Sequence, residues 1–168
     1  IADEFLENPK VVQTNRGEML SGTVKQVYYM TKESDKPDIL CKLMDVADDF
    51  YGLVFCQTKA LVMDLNRHLV ARGYKSDCLH GDMSQEAREK SMAAFRSGKK
   101  EILVATEVAA RGIDVDDVTH VINYSVPEDE KAYLHRVGRT GRAGKLGVAV
   151  TFVDWEDMAR WVHINREL

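Results

Sequence analysis

A chain of 168 residues, 45% hydrophobic and 30% charged with a formal net charge of −4, is the right size for one compact domain with a real core and leaves no room for a second. Its three cysteines, Cys41, Cys56 and Cys78, are odd in number and far apart, which argues against a disulfide framework or a zinc site and for reduced thiols in a cytoplasmic or nuclear protein. No apolar run approaches the ~18 residues of a membrane span, so neither a span nor a leader is expected, and the start at Ile1 with the stop at Leu168 suggests a piece of a longer polypeptide.

Residues 1–21 read as a linker remnant or a short N-terminal helix, and 22–168 as the domain. The segment TVKQVYYMT (23–31) reads as the first strand of that domain. Ile39, Leu40, Leu43, Met44 and Ala47 then recur at helical spacing. YGLVFC (51–56) is a short apolar run without alternation, the pattern of a strand covered on both faces. Leu61, Val62, Leu65 and Leu69 form a second helical stripe that ends at Gly73. A strand end is expected at Leu79. A third helix starts at Ser84, carries Glu86 in its first turn and ends near Gly98. EILVAT (101–106), VTHVIN (118–123) and GVAVTFV (147–153) complete the strands. Between the last two, a helix is expected over about 127–137, with Pro127, Glu128, Asp129 and Glu130 at its start and His135 and Arg136 near its end. In the closing segment, 154–168, Trp155, Met158, Trp161 and Val162 share a face, and both tryptophans are expected to pack in the core. This alternation predicts an α/β domain with a mainly parallel sheet, whose ligands collect beyond the carboxyl ends of the strands.

Charge is distributed unevenly. Residues 113–130 hold six acids and no Lys or Arg, whereas 131–145 hold five bases and no acid. The basic stretch contains HRVGRTGR (135–142); its Gly138 and Gly141, and Gly144 just beyond it, work against continuing the helix by about 1 kcal/mol each relative to alanine. Arg139 and Arg142 should therefore project from a turn. A guanidinium is always charged and offers a planar fork of donors, so two of them three residues apart suit a transferring phosphoryl group, a nucleic-acid backbone or salt bridges with the acids upstream. Composition does not separate these readings. His80 has no second His, Cys or acid at metal-like spacing, and no metal site is expected.

HRVGRTGRAGKLGVAVTFV, preceded by ILVATEVAARGIDVDDVTHVINYSVPEDEKAYLHR, resembles motifs V and VI of the DEAD-box RNA helicases. LVFCQTK (53–59) is similar to motif IV, and LHGDMSQEAREKSMAAFRSG (79–98) to the segment after it, with its Gln-x-x-Arg element at Gln85 and Arg88. The likeness runs from about Gly22 to Val153. It implies a RecA-like three-layer domain, the second of two, with residues 1–21 as an interdomain linker remnant.

The first domain's phosphate loop, G-x-x-x-x-G-K-[ST], and its Asp-Glu-Ala-Asp are absent from this sequence. ATP and Mg2+ would thus be held mainly by that other domain, and this chain alone, expected to be monomeric, should not turn over ATP. The resemblance implies that Arg139 and Arg142 are arginine fingers reaching the γ-phosphate and that His135 links the nucleotide site to the interdomain contacts. Arg136 suits an interdomain salt bridge as readily as phosphate. Asp114, with Gly112 allowing close backbone approach, matches the acid that binds the ATP ribose. Thr58, Gly81, Gln85, Arg88 and Thr106 match positions on the RNA sugar-phosphate backbone, and Arg111 fits either RNA or a bridge between the domains. Glu107 stands where the family often has Asp. The competing expectations are a related helicase acting on DNA, and a non-catalytic module that binds RNA or a protein.

Overall fold

The computed structural model describes residues 10–11, 24–112, 115 and 117–168. Six parallel strands carry the fold: β2 (Val24–Met30), β3 (Gly52–Cys56), β4 (Ser76–Leu79), β5 (Ile102–Thr106), β6 (His120–Asn123) and β7 (Gly147–Val153). A two-residue strand, β1 (Lys10–Val11), pairs antiparallel with β2 and gives the order β1-β2-β7-β6-β3-β5-β4. The linker-or-helix reading of residues 1–21 otherwise lies outside the described residues. The sheet's α-helices are α1 (Lys36–Val46), α2 (Lys59–Ala71), α3 (Gln85–Arg96), α4 (Glu107–Ala110), α5 (Glu130–Val137) and α6 (Met158–Glu167).

Side chains alternate across the sheet, so each strand feeds two cores. Val54 and Cys56 of β3 and Val150 and Phe152 of β7 face α1 and α2, meeting Leu40, Met44, Val62 and Leu69. On the opposite face, Leu53 and Phe55 meet α3 and α4 through Phe95 and Ala109, while Ala149 and Val153 meet α5 and α6 through Tyr133, Leu134 and Trp161. The result is a three-layer α/β sandwich, as expected. Its central strands are apolar on both faces because helices cover both.

Helix boundaries follow local chemistry. Thr58, Ser84, Thr106 and Asp129 are N-caps whose side-chain oxygens accept from the backbone N–H of Leu61, Ala87, Ala109 and Ala132 at 3.2, 3.1, 3.2 and 2.8 Å. Because Asp129 caps α5, Pro127 precedes that helix and does not sit in its first turn. Trp155 corrects a second expectation. It is 81% exposed in the turn before α6, whereas Trp161 is fully buried between Tyr28 and Tyr133 at ring-centroid distances of 5.2 and 5.7 Å.

At the amino end of β6, His120 stacks on Phe50 with centroids 4.7 Å apart, and one ring nitrogen lies 2.7 Å from the Thr119 hydroxyl. Burial pushes its pKa below the ordinary histidine value, against the opposing pull of the Asp49 carboxylate. The unfolded chain then takes up a proton near pH 6.5 that the folded chain resists, so stability is retained above that pH and falls as pH drops below it. The urea midpoint should accordingly fall between pH 7.5 and 5.5, and His120→Gln should flatten that part of the profile.

Candidate functional site

The chain runs from β3 outward to β4, back to β5, and then crosses to β6 on the other side of β3. The sheet's topological switch point therefore lies at β3, where crevices open beyond the carboxyl ends. Thr58 follows β3 and Thr106 ends β5, with Cys56 and Thr106 directly opposite in register. Both threonines use an oxygen lone pair to cap a helix, which leaves the hydroxyl hydrogen to donate outward. Arg88, on α3, donates from Nη2 to the Ala109 carbonyl at 3.2 Å, which fixes the guanidinium against α4. Gln85 lies one turn earlier and donates to Glu89 at 3.3 Å. A cavity of about 220 Å³ is lined by Gln85, Arg88 and Gly112, among others, and so brings three of the sequence-selected residues together. Gly112 has φ +76°, a left-handed conformation that side chains disfavour. Gly81 is exposed, and nothing occupies the space a Cβ would take there. In the same loop, Lys59 at the start of α2 forms an ion pair with Asp82, holding Asp82 below the usual carboxylate range by its hydrogen bond and charge.

A second cavity, of about 280 Å³, lies between α4 and α5. Arg111, His135, Arg136 and Arg139 line it, together with Glu107 and Asp129. His135 is exposed and Arg139 half-buried. After Val137 the backbone tightens, with the Arg139 and Thr140 N–H groups donating to Arg136 and Val137 carbonyls at 3.2 Å. The turn is pinned to the sheet by the Thr140 hydroxyl, which donates to the Val118 carbonyl. Gly138 remains close to helical dihedrals, and the reversal comes at Gly141, with φ +72°. Arg142 follows it, exposed, its Nε donating to the Gly138 carbonyl at 2.7 Å. The two arginines do project from a turn, but only Arg139 lines the cavity. Asp114 lies outside the described residues, and Thr58, Gly81 and Thr106 line neither cavity.

Beneath this cavity lies a polar network that sequence reasoning missed. Arg136 is only 5% exposed, and its Nε pairs with Glu107 Oε1 at 2.5 Å. Its Nη1 donates to Asn123 Oδ1 at 3.2 Å and to the Ser125 carbonyl at 3.1 Å, and its guanidinium carbon lies 5.0 Å from the centroid of the Phe55 ring. Asn123 passes the chain on by donating to the Thr151 hydroxyl at 3.1 Å. Burial lowers the Arg136 pKa while the Glu107 carboxylate opposes that shift. Arg136 is thus a buried cation that ties α5 to α4, β6 and β3 through partners within this chain. The only sequence signal was an acid at 107 and an arginine at 136, 29 residues apart and with no period to relate them.

The helicase conserved C-terminal domain model matches residues 35–144. The DEAD-box ATP-dependent RNA helicase CshA of Geobacillus kaustophilus is 44% identical over 166 residues, covering 99% of this chain and 36% of that protein. The ATP-dependent RNA helicase CshA of Listeria monocytogenes is 42% identical over 94% of this chain and 30% of its own length, so the chain spans about a third of these relatives. Among solved structures, a DEAD box protein from Methanococcus jannaschii superposes with a TM-score of 0.77 at 39% identity, covering 89% of this chain and 40% of that one. The C-terminal domain of the DEAD-box protein Dbp5 gives 0.78 at 34% identity and covers 86% of this chain and 84% of its own. With a RecA-like sheet, the motifs in register at its carboxyl end and these relatives in agreement, the chain belongs to the DEAD-box helicases as their conserved C-terminal domain.

Proposed function

We propose that this chain is the second RecA-like domain of an ATP-dependent RNA helicase, and that it completes an ATPase site whose phosphate-binding elements belong to the first domain. The observation that carries the reading is the convergence of Arg111, His135 and Arg139 on one cavity, in a chain without a phosphate loop of its own. Arg111, Lys131 and Arg139 offer cations that suit a polyphosphate, beside the carboxylates Glu128 and Asp129. Arg139, joined by Arg142 from beyond the Gly141 turn, would donate to the γ-phosphate, and Asp114 with Gly112 would receive the ribose. ATP, when bound, supplies the phosphoryl group that passes to water. The arginines act electrostatically, stabilising charge that spreads over the phosphoryl oxygens. Mg2+ would be held mainly by the first domain together with ATP.

RNA would lie across the other end of the switch point. Thr58 and Thr106 offer hydroxyl donors, Arg88 a guanidinium held in place by Ala109, and Gly81 an open backbone, with Gln85 and Arg111 at the margins. Such contacts address phosphate and sugar and carry no base information, so binding is sequence-independent. Domain closure on ATP and RNA together would complete the catalytic set and bend the bound strand out of duplex geometry.

The test joins the chain to its first domain and compares ATP hydrolysis with single-stranded RNA and with DNA of matched sequence, since the 2′-hydroxyl is the distinguishing group. Strong stimulation by RNA alone is expected, and the isolated chain should show no turnover. Equal stimulation by DNA would replace the RNA reading with a DNA one. Turnover by the isolated chain would overturn the division of labour.

A further inference from the structure

A third cavity, of about 480 Å³, opens beyond the carboxyl ends of β2, β3 and β7, on the side of Ser125 away from the Arg136 network. Its rim is Trp155, held up by a tight turn in which the Asp157 N–H donates to the Asp154 carbonyl at 3.2 Å and to Asp154 Oδ1 at 3.0 Å. A fixed turn that leaves an indole 81% exposed gives up the burial such a large ring would otherwise provide. The carboxylates Glu33, Asp154, Glu156 and Asp157 line the groove, against the amines of Lys32 and Lys36. Lys36 is 1% exposed, and its amine is already engaged by Glu33 at 2.7 Å and Asp154 at 3.8 Å. Asp157 pairs with Arg160 at 3.2 Å. What remains without a partner among the groove's described residues is the Glu156 carboxylate, the Lys32 amine and the Gln57 side-chain amide, so that with Lys36 held by two carboxylates the lining still carries four acids against two lysines.

We infer that this groove receives an extended segment of a partner protein that presents an arginine, its guanidinium stacked on Trp155 and hydrogen-bonded to Glu156. An indole face is the strongest aromatic partner for a cation, and the planar guanidinium adds a fork of donors for a carboxylate. Charge complementarity selects this occupant. The surplus of carboxylates repels a nucleic-acid backbone, and the polar lining does not suit a purely apolar ligand. The groove is separate from the residues proposed to meet ATP and RNA, so this inference stands or falls independently of the helicase reading.

The chain has two indole groups, Trp155 and Trp161, so labelled protein reports both environments directly. The probes are two blocked pentapeptides, Gly-Arg-Leu-Arg-Gly and Gly-Glu-Leu-Glu-Gly. The arginine peptide should shift the Trp155 indole N–H saturably while the Trp161 signal stays in place, and the glutamate peptide should not. Trp155→Ala, followed through the amide of Glu156, should weaken the arginine peptide by about tenfold or more. Glu156→Gln should weaken it several-fold, with an unmoved Trp161 signal showing that each variant is folded. Equal responses to the two peptides, or no response to either, would overturn the inference. So would a uridine oligonucleotide that shifts Trp155 at lower concentration than the arginine peptide does.

Discussion

Replacing Arg139 with alanine is expected to lower RNA-stimulated ATP hydrolysis by about 10³-fold or more in protein that carries the first domain, while the fold survives. The size follows from what the side chain would do. A guanidinium held on a preorganised turn meets charge as it develops, in a site that closure dries, and a donor supplied there costs no reorganisation at the moment of reaction. The turn is preorganised by groups other than Arg139, namely the Thr140 hydroxyl on the Val118 carbonyl and the left-handed Gly141. Truncating Arg139 therefore leaves its support standing, and the denaturant midpoint should move little, as for most substitutions away from the core.

One companion variant and one binding measurement sharpen the result. Arg139→Lys keeps the charge and loses the fork, so it should recover only part of the rate. RNA affinity measured without nucleotide should be nearly unchanged by Arg139→Ala, because Arg139 lines the α4–α5 cavity and not the one that holds Gln85 and Arg88. Wild-type turnover by Arg139→Ala, in protein of unchanged stability, would remove Arg139 from the reaction.

The sheet and the larger helices were legible because their signals are local. GVAVTFV coincides with β7 residue for residue, and Leu61, Val62, Leu65 and Leu69 mark the buried face of α2 before the stop at Gly73, which takes φ +89°. Ser76–Leu79 gave little beyond its last leucine, since an edge strand with Ser76 bonded to Asn66 needs few apolar residues. The four-residue α4 is too short to show a period. Trp155 was misread because its spacing from Met158 and Trp161 suits a helix that in fact starts only at Met158, after the Asp154 turn. The site divides in the same way. Arg139, His135, Gln85 and Arg88 sit within ordered motifs and could be singled out from sequence as candidates, whereas the pairing of Glu107 with Arg136 is made only by tertiary packing and could not.

That pairing carries the largest expected effect on stability. Glu107→Ala would leave the Arg136 charge 5% exposed with two neutral acceptors and no carboxylate in direct contact, only the more distant Glu128, and breaking a buried pair from one side typically costs about 3–5 kcal/mol. Because the Glu107 side chain is 30% exposed, water can partly replace it, so the lower end of that range is expected. Glu107→Gln retains an acceptor for Nε and should cost less than alanine. Arg136→Ala loses more than a charge. It strips the Asn123 oxygen and the Ser125 carbonyl of their donor, leaves Glu107 without a counter-charge and opens a void against Phe55, so its cost should equal or exceed that of Glu107→Ala. The double variant Glu107→Gln with Arg136→Met removes both charges and keeps most of the volume. It should be milder than the two single alanine effects added together, the non-additivity expected of residues in contact. Urea unfolding of the four variants and wild type decides the matter: a loss of under about 0.5 kcal/mol in Glu107→Ala would mean that Arg136 is held by Asn123, Ser125 and Phe55 alone. A loss in the expected range would place the support of the Arg139 turn on an ion pair that joins motif V to motif VI.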